Sequence, residues 1–296
     1  MATKKKVINS KRPKSFAHSR PPNFSKLSAS SSSLSSKVTR QKIRYHHQLQ
    51  KQHAAAIAKG DDAAAKATAA QIEREGGLEA YQQASLTGQS NERGGDSSRV
   101  LMEWLQPVSD GLTKSYENGK QKLKLLEVGA LSTSNASTRS KLFEVTRIDL
   151  NSQDKGILKQ DFMERPLPSH EDNKFDVLCL SLVLNYVPDA LSRGEMLRRT
   201  TRFLKENNTD MEEVQFCPAL FLVLPAPCLS NSRYLDDNRL RGIMTSLGYS
   251  LLQRKVSAKL DYSLWKFDAV TRVKTSYKKV EVRSGHLRNN FSIILG

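Results

Sequence analysis

The stretch KLKLLEVGALSTSNASTRSKLFEVTRIDL, from Lys122 to Leu150, restricts the possible folds more than any other part of the chain. Leu123, Leu125, Leu126 and Val128 form a short apolar run that stops at Gly129, and the small residues Ala130, Ser132, Ser134 and Ala136 follow it. A run of this length closed by glycine predicts a buried strand and a tight turn, and the small residues predict the start of a helix. A second apolar run, Val145 to Leu150, carries Asp149, which lies 20 residues after Gly129. Strand, small-residue turn, helix and strand with a terminal acid make the βαβ unit in which backbone approaches a ligand closely and the acid accepts hydrogen bonds from ribose hydroxyls. Only Gly129 of the G-x-G-x-x-G pattern is present, which argues against a bound pyrophosphate and less against S-adenosylmethionine, whose nucleoside carries no phosphate. Glu127 adds an acid at the strand end. The same residues also permit an ordinary buried strand followed by a loop.

Charge divides the chain. Residues 1–60 hold 14 Lys/Arg and no acid, whereas the remaining residues hold 33 against 30 Asp/Glu, so the net charge of +17 belongs mainly to an N-terminal arm. Such an arm suits polyanion binding or nuclear and nucleolar import, and the Ser-rich stretch Ser28–Ser36 within it cannot bury a core, so residues 1–40 are predicted to be a disordered basic tail. No run of 18 apolar residues occurs and no apolar stretch follows the basic start, which predicts neither a membrane span nor a secretory signal. The three cysteines, Cys179, Cys217 and Cys228, are odd in number and two lie in apolar runs, which predicts a reduced intracellular protein. No pair of Cys or His at ligand spacing is present, so no metal site is expected.

In chain order, residues 41–105 read as a helical extension and a Gly-rich loop. Lys42–Glu75 has a weak apolar face and a break near Gly60-Asp61; His46, His47 and His53 fall on this polar helix without a carboxylate at matching spacing. Asp96-Ser97-Ser98 reads as the start of a helix carrying Val100, Leu101, Trp104 and Leu105 on one face. The preceding Gln89–Gly95 is polar enough to fold over a ligand as a lid or to be a plain surface loop. Residues 106–270 read as one α/β domain. Within it Asp161 and Phe162 suit an adenosine site, the acid meeting the exocyclic amine and the ring packing on the base. Phe175–Asp189 reads as a central strand whose carboxyl end delivers Asn185 and Tyr186 to the place where ligands bind in open α/β sheets; equally, Tyr186 reads as core and Asn185 as a cap. Leu191–Leu204 reads as an amphipathic crossover helix with Arg193, Arg198, Arg199 and Arg202 on a solvated face. Strands are expected at 219–224, 251–256 and 263–270, with a helix over 234–247. Residues 271–296 form a second basic segment ending in an apolar stretch, Phe291–Leu295, that suits a short added strand.

Taken together, GGLEAYQQAS, GQSNERGGDSSRVLMEWL, LLEVGALSTSNA, RIDLNSQ, QDFMERPLP, FDVLCLSLVLNYVPD and LFLVLPAPCLSNSRYLDD resemble the fungal 25S ribosomal RNA adenine-N1 methyltransferases, whose animal relatives include an S-adenosylmethionine-sensing regulator. The resemblance runs from about Gly76 to Val270. It implies a Rossmann-like seven-stranded S-adenosylmethionine-dependent methyltransferase fold, methylation of one adenine in large-subunit rRNA, either free or in a pre-ribosomal particle, and a nucleolar location. The family's glycine and acid that contact S-adenosylmethionine fall on Gly129 and Asp149. The Asn-Pro-Pro-Tyr tetrad of N6-adenine enzymes is absent; Asn185-Tyr186-Val187-Pro188 occupies the comparable place, so the catalytic assignment rests on Asn185 and Tyr186 by position.

That departure fits the chemistry, since adenine N1 has an in-plane lone pair and no proton, and attack on a methyl group needs positioning rather than a base. A non-catalytic sensor of S-adenosylmethionine acting on a protein partner is the alternative. The basic arm separates the two, because an enzyme of ribosome assembly has a use for it and a protein-directed sensor has none.

Overall fold

The computed structural model describes residues 36–77, 96–117, 121–152, 154–206 and 216–296; the expected tail over residues 1–35 and the expected lid Gln89–Gly95 lie outside the described residues. Seven strands, β1 (Leu123–Val128), β2 (Phe143–Asp149), β3 (Leu158–Lys159), β4 (Val177–Ser181), β5 (Ala219–Pro225), β6 (Tyr249–Val256) and β7 (Leu260–Phe267), form one sheet in the order β3-β2-β1-β4-β5-β7-β6. The neighbours from β3 to β5 pair in parallel, and β7 runs antiparallel to both β5 and β6. The described helices are α1 (Ser36–Ala58), α2 (Asp62–Arg74), α3 (Ser98–Glu117), α4 (Ala136–Arg139), α5 (Ala190–Phe203), α6 (Pro227–Ser230) and α7 (Asp237–Ser246).

Side chains alternate across the sheet, so the apolar strands must be covered on both sides. Leu123 and Leu125 of β1, Val177 and Cys179 of β4 and Phe221 and Val223 of β5 share one apolar cluster with Leu101, Leu105 and Leu112 of α3. Trp104 closes that face with its ring edge-on to Phe221, centroids 5.9 Å apart. The alternate residues, Leu126 and Val128, Leu178 and Leu180, and Leu220 and Leu222, pack on the other side with Met196, Leu197 and Phe203 of α5 and Leu240, Ile243 and Met244 of α7. The three cysteines are free thiols buried in these layers.

Four expectations change, the last of them at the C-terminal segment. Helix α1 begins at Ser36, so the last residues assigned to the tail are helical. The boundary at residue 105 falls inside α3, whose Leu101 and Leu105 belong to the same core as β1. Two of the four α5 arginines leave the solvated face: Arg193 is buried, with its guanidinium donating to Val187 O at 2.9 Å, Pro188 O at 3.1 Å and Ser292 O at 2.7 Å. Arg199 donates to Phe162 O at 2.8 Å and to Arg165 O and lies over the Phe162 and Phe203 rings. In both cases carbonyls distant in sequence replace water as acceptors.

Ser292 belongs to a C-terminal segment that folds back on α5. Ile294 N donates to Ala190 O at 2.9 Å, and Tyr277 and Leu295 form an antiparallel bridge. Phe291, Ile293 and Leu295 are buried, packed as a strap rather than paired as an added sheet strand. The close approach requires Gly194, where a Cβ would sit 1.7 Å from Ile294 O. Gly194→Ala is therefore expected to destabilise the fold by about 1–3 kcal/mol and to expose the C-terminal segment to proteolysis. Gly111→Ala, in α3 with nothing among the described residues within 4 Å of the added Cβ, should instead raise stability by about 0.5–1 kcal/mol through helix propensity. Urea unfolding of the two variants beside the parent checks both signs.

Candidate functional site

The turn after β1 is built from two backbone hydrogen bonds. Gly129 N and Ala130 N both donate to Ile148 O of β2, at 2.8 and 3.1 Å. Gly129 has φ +74°, and a Cβ there would lie 2.5 Å from Val183 Cγ2. The residue is thus fixed as glycine by its own backbone and by the β4 exit loop. The first obstacle to a side chain at this turn is Val183.

Across the turn, Leu182 holds φ +59° as it leaves β4, with its N–H on Val223 O at 2.9 Å. A non-glycine residue in this region is strained, and such strain gathers at ligand sites. It swings residues 183–188 over the carboxyl ends of the strands, where Asp189 caps α5 by accepting from Leu191 N and Ser192 N, each at 2.9 Å. The result is a cavity of about 400 Å³ bounded by the ends of β1, β2 and β4.

Five of the seven residues singled out in the sequence line this cavity: Gly129, Asp149, Asp161, Phe162 and Tyr186. Asp149 ends β2 and turns the chain by accepting from Asn151 N at 2.8 Å, while its carbonyl accepts from Gln160 N at 2.8 Å. Asp161 accepts from Met163 N at 2.7 Å. Phe162 is 2% exposed and packs on Phe203 with centroids 5.1 Å apart, so its ring is wall and core together. Tyr186 is held by its N–H on Val183 O at 2.9 Å. Asn185 stands beside the cavity rather than in its lining, with Oδ1 buried and without a hydrogen-bond partner among the described residues.

Glu127 is also outside the lining, and alternation along β1 explains where it goes. It shares the face of Leu123 and Leu125, beneath the start of α3, and its Oε1 accepts from Asn135 Nδ2 at 2.6 Å. Oε2 is buried without a hydrogen-bond partner among the described residues. Burial, reinforced by the Asp96 charge and opposed by Arg147 and the Asn135 bond, pushes the Glu127 carboxyl up to about 7.

Sequence reasoning missed one residue of the wall and two contacts beside it. Gln50 of the polar helix α1 lines the cavity, and nothing in its surroundings in the sequence signals that. Ser97, read as part of a helix start, forms a hydrogen bond of 2.7 Å with Ser181 in the cavity wall. Its neighbour Asp96 receives Ser98 N at 2.9 Å and Ala136 N at 2.5 Å, tying α3 to α4 beside the β1 turn. Among the described residues no cluster of three His, Cys, Asp or Glu is placed to hold a metal ion, and no helix is long and apolar enough to cross a membrane.

An open sheet in this order, with one antiparallel strand and a cavity at the carboxyl ends of β1, β2 and β4, is the Rossmann-like seven-stranded architecture of the methyltransferases. More narrowly, the chain belongs to the family described as 25S rRNA (adenine(2142)-N(1))-methyltransferase, Bmt2, whose model matches residues 66–293. It is 41% identical over 227 residues to the 25S rRNA (adenine(2142)-N(1))-methyltransferase of Saccharomyces cerevisiae, a match spanning 76% of this chain and 62% of that protein. It is 38% identical over 253 residues to the 25S rRNA adenine-N(1) methyltransferase of Schizosaccharomyces pombe, spanning 85% and 89%. The solved N-methyltransferase NodS from Bradyrhizobium japonicum overlaps 58% of this chain and 96% of its own at 13% identity and a TM-score of 0.37.

The position of Glu127 sets a pH dependence. Its carboxyl is raised in the folded state, from the ordinary 4.5 to about 7, so folding favours the protonated acid. This contribution to stability is fully present below about 4.5 and is lost as the pH rises to about 7. Glu127→Gln removes the titration while keeping an acceptor for Asn135. Without ligand, the variant is expected to exceed the parent in stability above pH 7, by on the order of 3 kcal/mol, and to converge with it near pH 4. Calorimetric melts across that range check this; a difference independent of pH would contradict it.

Proposed function

We propose that this chain transfers a methyl group from S-adenosylmethionine to N1 of an adenine in large-subunit rRNA. The observation that carries the reading is one cavity, in a member of this family, joining the Gly129 turn, the β2 acid Asp149 and the aromatic Tyr186. The names of both relatives favour a catalytic reading over a non-catalytic sensor. Large-subunit rRNA, free or in a pre-ribosomal particle, is the proposed partner, and the 14 Lys/Arg of residues 1–60 support action in the nucleolus.

The residues fit S-adenosylmethionine in two respects. The glycine turn brings backbone to the cavity without a side chain, and the end of β2 carries the Asp149 carboxylate into the same lining. Asp149 accepts from the ribose hydroxyls, and Phe162 and Asp161 form the adenine side of the wall. When bound, the cofactor supplies an electrophilic methyl group on a sulfonium. The chain need supply no base, because the adenine N1 lone pair carries no proton and the product keeps the positive charge. What remains is to hold an unpaired or extruded adenine with N1 in line, and Tyr186 provides a flat partner for it.

Asp149→Ala is expected to weaken S-adenosylmethionine by about 1–3 kcal/mol in calorimetry; unchanged affinity would place the ribose acid elsewhere. Tyr186→Ala should keep that affinity and lose most transfer of labelled methyl to rRNA, since a base–aromatic stack contributes about 1–3 kcal/mol. Tyr186→Phe should retain most turnover, because the ring and not the hydroxyl is required. Wild-type turnover in the alanine variant would make Tyr186 a wall residue.

A further inference from the structure

The second basic segment of the sequence has a defined place. Residues 272–291 lie along the loop that leaves the carboxyl end of β5, and the contacts between them follow one rule: arginines are fixed by neutral acceptors. Arg283 donates to Ser230 O at 2.6 Å and Leu229 O at 2.5 Å. Arg233 donates to Gly285 O at 2.9 Å and Asn290 Oδ1 at 3.0 Å. Arg288 donates to Ser284 O at 2.7 Å, and Arg239 to Lys278 O. A carbonyl orients a guanidinium without neutralising it.

Lys274, Lys278 and Lys279 are exposed along the same segment. Among the described residues no carboxylate is in ion-pair contact with these lysines or with Arg233, Arg239, Arg283 or Arg288. The acids that face the band are otherwise engaged or few. Asp236 caps α7 through Arg239 N at 2.8 Å, Asp237 pairs with Arg241 and Arg254, both at 2.9 Å, and Glu281 is the one acid within the segment. Arg272, at the end of the band, does pair, with Glu206 at 3.3 Å. Tyr234 sits half-buried in the middle with Lys279 Nζ 4.3 Å from its ring centroid. The residue after the band, Ser292, is buried and bonded to Arg193, whose other bonds fix Val187 and Pro188 in the cavity wall.

We propose that this band is a phosphate track that grips RNA flanking the target adenine, with Tyr234 as a stacking point for an unpaired base. The proposal rests on the reading of RNA as the substrate. Oriented arginines, unpaired lysines and an aromatic beside them meet the needs of a single-stranded or looped RNA, where phosphates give affinity and rings take the bases.

The test uses the full chain and a fluorescein-labelled RNA hairpin with an unpaired adenine. Combining Lys274→Gln, Lys278→Gln and Lys279→Gln should reduce the slope of log affinity against log salt by about 2, the amount for three lost phosphate contacts. The affinity for S-adenosylmethionine and the melting temperature should stay at wild-type values, and the loss of methyl transfer should appear in KM rather than kcat. Tyr234→Leu should weaken the hairpin roughly tenfold with the salt slope unchanged. An unaltered slope in the triple variant overturns the track, as does a variant that loses binding to polyglutamate but not to RNA, which would mark a surface for an acidic protein. A wild-type chain that binds S-adenosylmethionine and methylates no RNA refutes the substrate reading itself; methylation by the wild type with an unaltered slope in the variant refutes only the track.

Discussion

Everything at the site depends on β1 being buried on both faces. Leu123, Leu125 and Leu126 have no exposed surface, so the strand is stable only between two layers, and α3 on one side with α5 and α7 on the other supply them. A strand in that position has parallel neighbours, here β2 and β4, and their carboxyl ends open on the same side. The turn at Gly129 follows from this geometry, since Gly129 and Ala130 reach Ile148 O at the end of the neighbouring strand. The same alternation sends Glu127 to the α3 face, where burial and not chemistry raises its carboxyl. An acid two residues before the turn is therefore linked to the ligand cavity without lining it.

How far the fold could be read from sequence depended on whether burial was local. β1, β4 and β5 announce themselves as near-continuous apolar runs because both of their faces are covered, and the βαβ order predicts their parallel pairing. The turn glycine and Asp149 were legible for the same reason: a strand end is marked by the residues that stop it. The walls made by other elements were not. Gln50 reaches the cavity from a helix whose own sequence is polar, and Ser97 meets Ser181 across 84 positions of chain. Neither has a periodic signature, because a single contact imposes no pattern on its surroundings.

The α5 arginines show a second limit. Charge at helical spacing reads as a wet face, yet Arg193 and Arg199 spend their donors on carbonyls of residues 162, 165, 187, 188 and 292. Loops that leave strand ends turn many carbonyls away from regular pairing, and a guanidinium with five N–H groups can satisfy several at once. Taking that charge out of water is costly; the carbonyl hydrogen bonds offset part of the cost, and Arg193 recovers further through the Phe291 ring 4.5 Å away.

Arg193 also changes what the end of the chain is for. The segment after β7 is a polar, basic sequence that forms no sheet strand, and its order depends on α5: Ile294 N on Ala190 O, Ser292 O on Arg193, and the Ile294 carbonyl against Gly194. The dependence runs the other way as well. Val187 and Pro188, beside Tyr186 in the cavity wall, have no regular structure of their own, and their carbonyls are held by the same guanidinium. Arg193 is thus a junction where the cavity wall, the crossover helix and the C-terminal strap share one side chain. The loop that carries Tyr186 and the strap are thereby coupled through one side chain as well as through the helix they both pack against.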